Sequence, residues 1–379
     1  MTPRDLRAAI PALEETTFFN TGASGPSPQP VLDAATDCLT HHKASAPAAE
    51  GMYTAAREAR EASREAIAAH LGAAPSEIAL TESTSDAISA LAASLDWQPG
   101  DIVVRTDLEH PAGVLPWQRA ARTHGVEVRV VETTDGRVDL DAYVEAVDDA
   151  RRVCFSSLSW NYGTRLPVAE LVEIAHDADC EVLVDAVQSA GQTPMDLDAW
   201  GAEYVAGSGH KWLLGPWGSG YLYVQEGSGE DLHPAQVCYN SVEEPGAAEY
   251  VLKKGAQKFE RGTASPAPHA GMAAAVDLFE SVGMETIESR IESLTDRLKT
   301  GLPDERLLSP DRFESGLVTV DVDDPEAVVE ALAADGIRIR SLPEPDAVRV
   351  SVHAFNTESE VDALLAALTA CGAVDRSEC

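Results

Sequence analysis

Tyr204-Val205-Ala206-Gly207-Ser208-Gly209-His210-Lys211-Trp212-Leu213-Leu214-Gly215-Pro216 begins as an apolar run, narrows to small residues, and then presents a histidine and a lysine. Tyr204 to Gly207 reads as a buried strand, and Lys211 follows just past its end. Lysine is scarce here, with six against 22 arginines among the 28 basic residues. An amine isolated from competing charges at the edge of a sheet is suited to forming a Schiff base with an aldehyde cofactor. A lone Gly-His-Lys fits an ordinary solvated cation equally well. The choice between them depends on the surrounding sequence.

Outward from that stretch, apolar strand-like runs alternate with helical patterns. The strands are Ile78 to Leu80, Ile102 to Val104, Val126 to Val131, Arg152 to Ser156, Glu181 to Val184, Tyr204 to Gly207 and Gly220 to Val224. Helical spacing of apolar residues marks Ser85 to Leu95, Gly113 to His124, Leu140 to Asp148 and Pro167 to Ala178. Such alternation predicts an α/β domain with a doubly wound, mainly parallel seven-stranded sheet. Gly220 to Val224 follows its predecessor too closely for a parallel crossover, so it is expected to run antiparallel. Gln225 to Ala256, rich in Gly, Pro and acids, reads as a long loop bordering the site. A helical region, Ala270 to Thr300, leads into strands near Leu317 to Val322 and Ala347 to Val352 and helices near Pro325 to Ala334 and Thr357 to Cys371. The expected division is an N-terminal arm (1–15), a large domain (16–265) and a smaller α+β domain (266–379), since 379 residues exceed what one core usually supports.

The formal net charge is −35, from 63 acidic and 28 basic residues, which argues against nucleic-acid partners. No run of about 18 apolar residues and no secretion or lipidation signal is present, so a soluble cytoplasmic protein without a membrane role is expected. The acids are spread along the chain, which suggests a halophilic cytosol: repulsion reaching about 10 Å in dilute salt shrinks to about 3 Å at molar salt. The six cysteines show no Cys-x-x-Cys spacing, and no metal site is expected.

Ligands of an open parallel sheet gather beyond the carboxyl ends of its strands. Thr81-Glu82-Ser83-Thr84-Ser85-Asp86 opens a helix with hydroxyls, which suits either a phosphate or a plain N-cap. Leu108-Glu109-His110-Pro111 puts an imidazole after the second strand. Asp185 ends an apolar run, where an unpaired carboxylate is costly to bury, so it requires either a cation or a helix-capping role. A protonated pyridine nitrogen is such a cation, and with Lys211 it points to pyridoxal phosphate. Gln188 then stands where its amide could donate to the ring's phenolic oxygen.

With Asp185 and Lys211 26 positions apart and each closing a strand, the chain resembles the class V aminotransferase family of fold type I pyridoxal-phosphate enzymes. The resemblance extends over nearly the whole chain. Phe18-Phe19-Asn20-Thr21-Gly22-Ala23-Ser24-Gly25-Pro26 is similar to the family's substrate-side loop, and Leu108-Glu109-His110 with Pro116-Trp117-Gln118 to the ring-stacking segment of cysteine desulfurases. The resemblance implies that Thr84, Ser85, Ser208 and His210 hold the phosphate and that His110 stacks on the ring. It further implies that Asp185 pairs with the ring nitrogen, Gln188 reaches its oxygen, and Lys211 is anchor and proton shuttle. Phe259-Glu260-Arg261-Gly262-Thr263 is similar to the segment whose threonine reaches the neighbouring subunit's phosphate, implying a homodimer with shared active sites. Val348-Arg349-Val350-Ser351 is similar to the carboxylate-binding region, with a surface salt bridge as the alternative for Arg349.

Two departures bear on the reaction. Cysteine desulfurases carry a nucleophilic cysteine between an Arg-rich strand and the carboxylate arginine, whereas Ile339-Arg340-Ser341-Leu342-Pro343-Glu344-Pro345-Asp346 is a short turn without one. Cys238, in the long loop, is a substitute only if that loop closes over the site. Ser159-Trp160-Asn161-Tyr162-Gly163 is closer to the isopenicillin-N epimerase-like branch, and Trp160, with Gly22 and Ala23, is expected to line the substrate pocket or simply pack there. The implied activity is on a small α-amino acid, desulfurase-like or C–S lyase chemistry without the usual cysteine. Transamination, epimerisation and a non-catalytic binding role are the alternatives.

Overall fold

The computed structural model describes residues 1–374. Its centre is a seven-stranded sheet of β1 (Ile78–Thr81), β2 (Ile102–Thr106), β3 (Glu127–Val131), β4 (Arg152–Ser156), β5 (Glu181–Asp185), β6 (Tyr204–Ser208) and β7 (Gly220–Val224). Their order across the sheet is β1-β7-β6-β5-β4-β2-β3. Every pair is parallel except those of β7, which is antiparallel to both neighbours. This is the α/β sheet expected of fold type I. Strands β4, β6 and β7 are buried along their whole length because helices cover both faces, which explains their continuous apolar runs.

Local chemistry sets the helix ends. The Ser83 hydroxyl accepts from the Asp86 N–H at the start of Thr84–Ala92, and Thr357 and Glu360 cap Glu358–Ala370 reciprocally. The expected helical region consists of two helices, Ala267–Val282 and Met284–Thr300, separated at Gly283 with φ +89°. The first packs on Gln29–Thr40 and Met52–Leu71 and places Met272 and Phe279 in the core beneath the large sheet. The second helps enclose a separate core of Leu294, Val318, Val350 and Leu364.

That second core lies against a three-stranded antiparallel sheet of β8 (Leu317–Val320), β9 (Arg340–Pro343) and β10 (Asp346–Ser351), in the order β8-β10-β9. The interval expected as a turn is therefore mostly strand. Arg340–Pro343 pairs with Asp346–Ser351 and only Glu344 and Pro345 bend the chain, which places Arg340 directly across from Arg349. The N-terminal segment joins this lobe: Thr17–Phe18 pairs in parallel with Ile337–Arg338, and Asn20 bridges to Ser351. The segment Phe18 to Pro26 is thus strung from the small lobe across to the large sheet. Among the described residues no helix is long and apolar enough to cross a membrane.

Candidate active site

The carboxyl ends of β1, β2, β4, β5 and β6 converge on a cavity of about 170 Å³ that the small lobe closes with β9 and β10. Gly22, Ala23, Thr84, Ser85, His110, Trp160, Asp185, Gln188, His210, Lys211 and Arg349 all line it. Ser208 and Thr263 do not. Ser208 is fully buried at the end of β6, where its hydroxyl accepts from the Thr84 N–H at 3.4 Å. Thr263 is exposed on a turn with φ +60°, its hydroxyl 3.1 Å from that of Tyr239.

Lys211 and Asp185 form the electrostatic centre. Burial pushes the Lys211 amine down to about 8, reinforced by Arg349 and Arg340 and opposed by Asp185. Burial likewise pushes the Asp185 carboxyl up to about 6, against the 2.9 Å hydrogen bond it accepts from the Val187 N–H and the charge of Lys211. Each group is held where its protonation responds to a ligand. Lys211 is also locked by its neighbours: the Gly25 N–H donates to the His210 carbonyl at 2.8 Å, and a Cβ on Gly25 would lie 2.3 Å from the Lys211 carbonyl oxygen.

The His110 ring stands edge-on to Trp160 at 5.4 Å and accepts the Ala112 N–H on Nδ1. Burial first, then Lys211, Arg340 and Arg349, lowers its pKa to about 4, so the imidazole is neutral with its proton on Nε2. Glu109, the preceding residue, is fixed by Thr106 Oγ1 at 2.7 Å, Ser156 Oγ at 2.7 Å and the Ser156 N–H at 3.1 Å. Burial pushes the Glu109 carboxyl up to about 7. Glu109 was given no role in the sequence beside His110, because its burial comes from packing against β4 and no local pattern marks it.

Arg349 is wholly buried, so it is no surface ion pair. Its Nη1 donates to the Trp160 carbonyl at 2.7 Å, while Nε and Nη2 have no partner among the described residues. Burial and the adjacent Arg340 push its pKa down to about 9, which leaves it cationic at neutral pH. Gly22 keeps this fork open, because a Cβ there would lie 2.9 Å from Arg349 Nη2 and 2.7 Å from Leu317 Cδ2. Arg340 also lines the cavity and was overlooked in the sequence, as was Trp217, whose indole donates to Ser24 Oγ at 2.9 Å. Thr84 Oγ1 and Ser351 Oγ are further buried polar atoms without partners. Cys238 does not line the cavity; its thiol is 3.1 Å from the Glu260 carbonyl. No cluster of metal ligands occurs among the described residues.

The aminotransferase class-V family model matches residues 17–364. A probable cysteine desulfurase of Methanothermobacter thermautotrophicus is 33% identical, covering 96% of each chain. A structure of C-DES with glycine covalently linked to its pyridoxal-phosphate cofactor is 28% identical with a TM-score of 0.90, covering 96% of this chain and 98% of that one. The complex of the cystine C–S lyase C-DES with its product cysteine persulfide is 28% identical with a TM-score of 0.89, covering 95% and 98%. With a family match over nearly its whole length and relatives aligned end to end, the chain belongs to the aminotransferase class-V family.

Proposed function

We propose that this protein is a pyridoxal-phosphate enzyme that cleaves the Cβ–S bond of cysteine or cystine by elimination, without a cysteine nucleophile of its own. The single observation that carries this reading is the buried, unpaired Arg349 fork in one cavity with Lys211 and Asp185. It is supported by the cystine lyase and desulfurase relatives. The cavity fits the cofactor's groups: Asp185 for the ring nitrogen, His110 for the ring face, Gln188 for the phenolic oxygen, and Thr84, Ser85 and His210 for the phosphate. Thr84 Oγ1, buried without a partner, is the kind of atom a phosphate would satisfy.

When bound, pyridoxal phosphate would supply an electron sink for the pair released at Cα. Arg349 Nε and Nη2 hold the substrate carboxylate, and its bond to the Trp160 carbonyl fixes the plane of the fork. Lys211 Nζ, whose pKa burial lowers to about 8 so that its free base is accessible near neutral pH, takes the Cα proton. Asp185, ionised above about pH 6, would pair with the ring nitrogen. Arg340, one strand over, faces the substrate's distal end, where cystine carries a second carboxylate. From cystine, loss of the Cα proton and of the Cβ–S bond gives cysteine persulfide, and the remaining three-carbon fragment takes up water to give pyruvate and ammonia. Sulfur leaves on the small-molecule product, so Cys238 is not needed.

We further propose a cytoplasmic homodimer. Exposed Thr263 borders a groove of about 510 Å³ with Leu39, Met52 and Tyr53, side chains suited to a second copy, and the dispersed charge suits molar salt. The test is incubation of the reconstituted enzyme with cystine, cysteine and alanine. Pyruvate with persulfide from cystine is expected. Conversion of the cofactor to its amine form with alanine would make it an aminotransferase, racemised substrate an epimerase, and inertness to all three a binding protein.

A further inference from the structure

Gln188 is oriented by its neighbours on both sides. Its Oε1 accepts from the Trp212 indole N–H at 2.7 Å, and its Nε2 donates to the Gly22 carbonyl at 3.0 Å. Indole nitrogen donates and never accepts, so the amide oxygen must face Trp212. Rotating the amide by half a turn would set donor against donor at Trp212 and acceptor against acceptor at Gly22, losing both bonds. One Nε2 hydrogen therefore remains available to a ligand of the cavity that Gln188 lines.

Trp212 is itself immobilised. Its ring is fully buried and lies 17° from parallel to His353 at 5.8 Å, and its carbonyl accepts from His353 Nε2 at 2.9 Å. Gly191 permits this approach: a Cβ there would lie 2.5 Å from the Trp212 carbonyl carbon, and its φ of +98° suits glycine alone. The Gln188 backbone is tied in turn through Gln192, whose side chain donates to the Gln188 carbonyl and accepts from the Gly316 N–H at 2.8 Å. The residue that follows the lysine in sequence thus reaches the amide from the far side of the cavity wall.

We propose that Trp212 is a positioning residue that fixes the polarity of Gln188, so that the cavity receives a hydrogen-bond donor at the phenolic oxygen of pyridoxal phosphate. This rests on the cofactor reading above and goes beyond it by assigning Trp212 a role in tuning the chromophore. A donor to that oxygen stabilises its anion and so lowers the pH at which the proton it shares with the imine nitrogen is lost. Removing the orienting indole raises that pH.

The experiment is a spectrophotometric pH titration of the visible cofactor band in the holoenzyme, Trp212→Phe, Gln188→Met and the double variant. Trp212→Phe should raise the apparent pKa by about half a unit or more, the scale of one lost hydrogen bond. The double variant should titrate like Gln188→Met alone, because no amide is left to orient. Wild-type titration in Trp212→Phe, or additive shifts in the double variant, would overturn the inference. If the wild type itself binds no cofactor that absorbs in the visible, the functional reading falls and the inference with it. Should Trp212→Phe not fold, indole ¹⁵N–¹H spectra decide: the signal that moves in Gln188→Met should also move on cofactor removal, and a signal indifferent to the cofactor contradicts the assignment.

Discussion

Two pairs of arginines, all buried except the half-buried Arg340, occupy opposite electrostatic states. Arg60 and Arg64, on the helix Met52–Leu71, converge on Glu260: Arg60 Nη2 and Arg64 Nη2 each lie 2.8 Å from its oxygens, and the Leu80 N–H of β1 donates to it at 2.9 Å. The two cations hold the Glu260 carboxyl below its usual range despite burial. Arg340 and Arg349 face each other across β9 and β10 with no carboxylate in salt-bridge range among the described residues. A buried cation without a counter-ion is costly, so its retention beside Lys211 marks a site for an anionic ligand, whereas the Glu260 cluster joins a helix, a strand and the Thr263 turn. Within one chain, a carboxylate-paired charge network builds the scaffold, and the other is left without a counter-ion, as the proposed carboxylate site requires.

The comparison is broken most forcefully at Glu260. Glu260→Ala leaves the buried Arg60 without a carboxylate and Arg64 with Glu61 alone, and should cost about 3–5 kcal/mol in denaturant unfolding. Loss near zero would mean the cluster is not structural. At the other pair, Arg349→Lys keeps the charge but loses the planar fork, and should lower kcat/KM for cystine by roughly 30- to 150-fold, or about 2–3 kcal/mol, with little loss of stability. Equal losses of stability in the two variants would erase the distinction drawn between the sites. The smallest effect concerns pH. Asp185, held near 6, takes up a proton below that value and gives up the charge that the proposed pairing with the ring nitrogen requires. Cofactor affinity should therefore weaken below pH 6, by up to about tenfold per unit, while capture by Lys211 quickens as pH rises through about 8. Equilibrium and stopped-flow cofactor titrations check both limbs, and Asp185→Asn should abolish the lower one.

Much of this arrangement was legible in the sequence because the central strands are short, buried on both faces and therefore continuously apolar. Each also ends on a distinctive residue, as β5 does on Asp185 and β6 just before Lys211. What was not legible depends on pairing at a distance. Arg340-Ser341-Leu342-Pro343 has the polarity and proline of a turn, and its strand character comes only from hydrogen bonding to β10. That pairing also sets Arg340 opposite Arg349, so its place in the cavity could not be read from spacing. The break at Gly283 was hidden because helical apolar spacing continues on both sides of it. Ser208 sits in a motif associated with phosphate, yet the buried end of β6 turns its hydroxyl toward the Thr84 backbone.

The most direct test of the central claim is borohydride reduction of the reconstituted enzyme followed by peptide mass spectrometry. With only six lysines in the chain, the assignment is unambiguous. The reduced cofactor should be found on the peptide containing Lys211, and Lys211→Ala should lose both the adduct and the visible absorption. Cofactor attached to another lysine, or absorption unchanged in Lys211→Ala, would contradict the account.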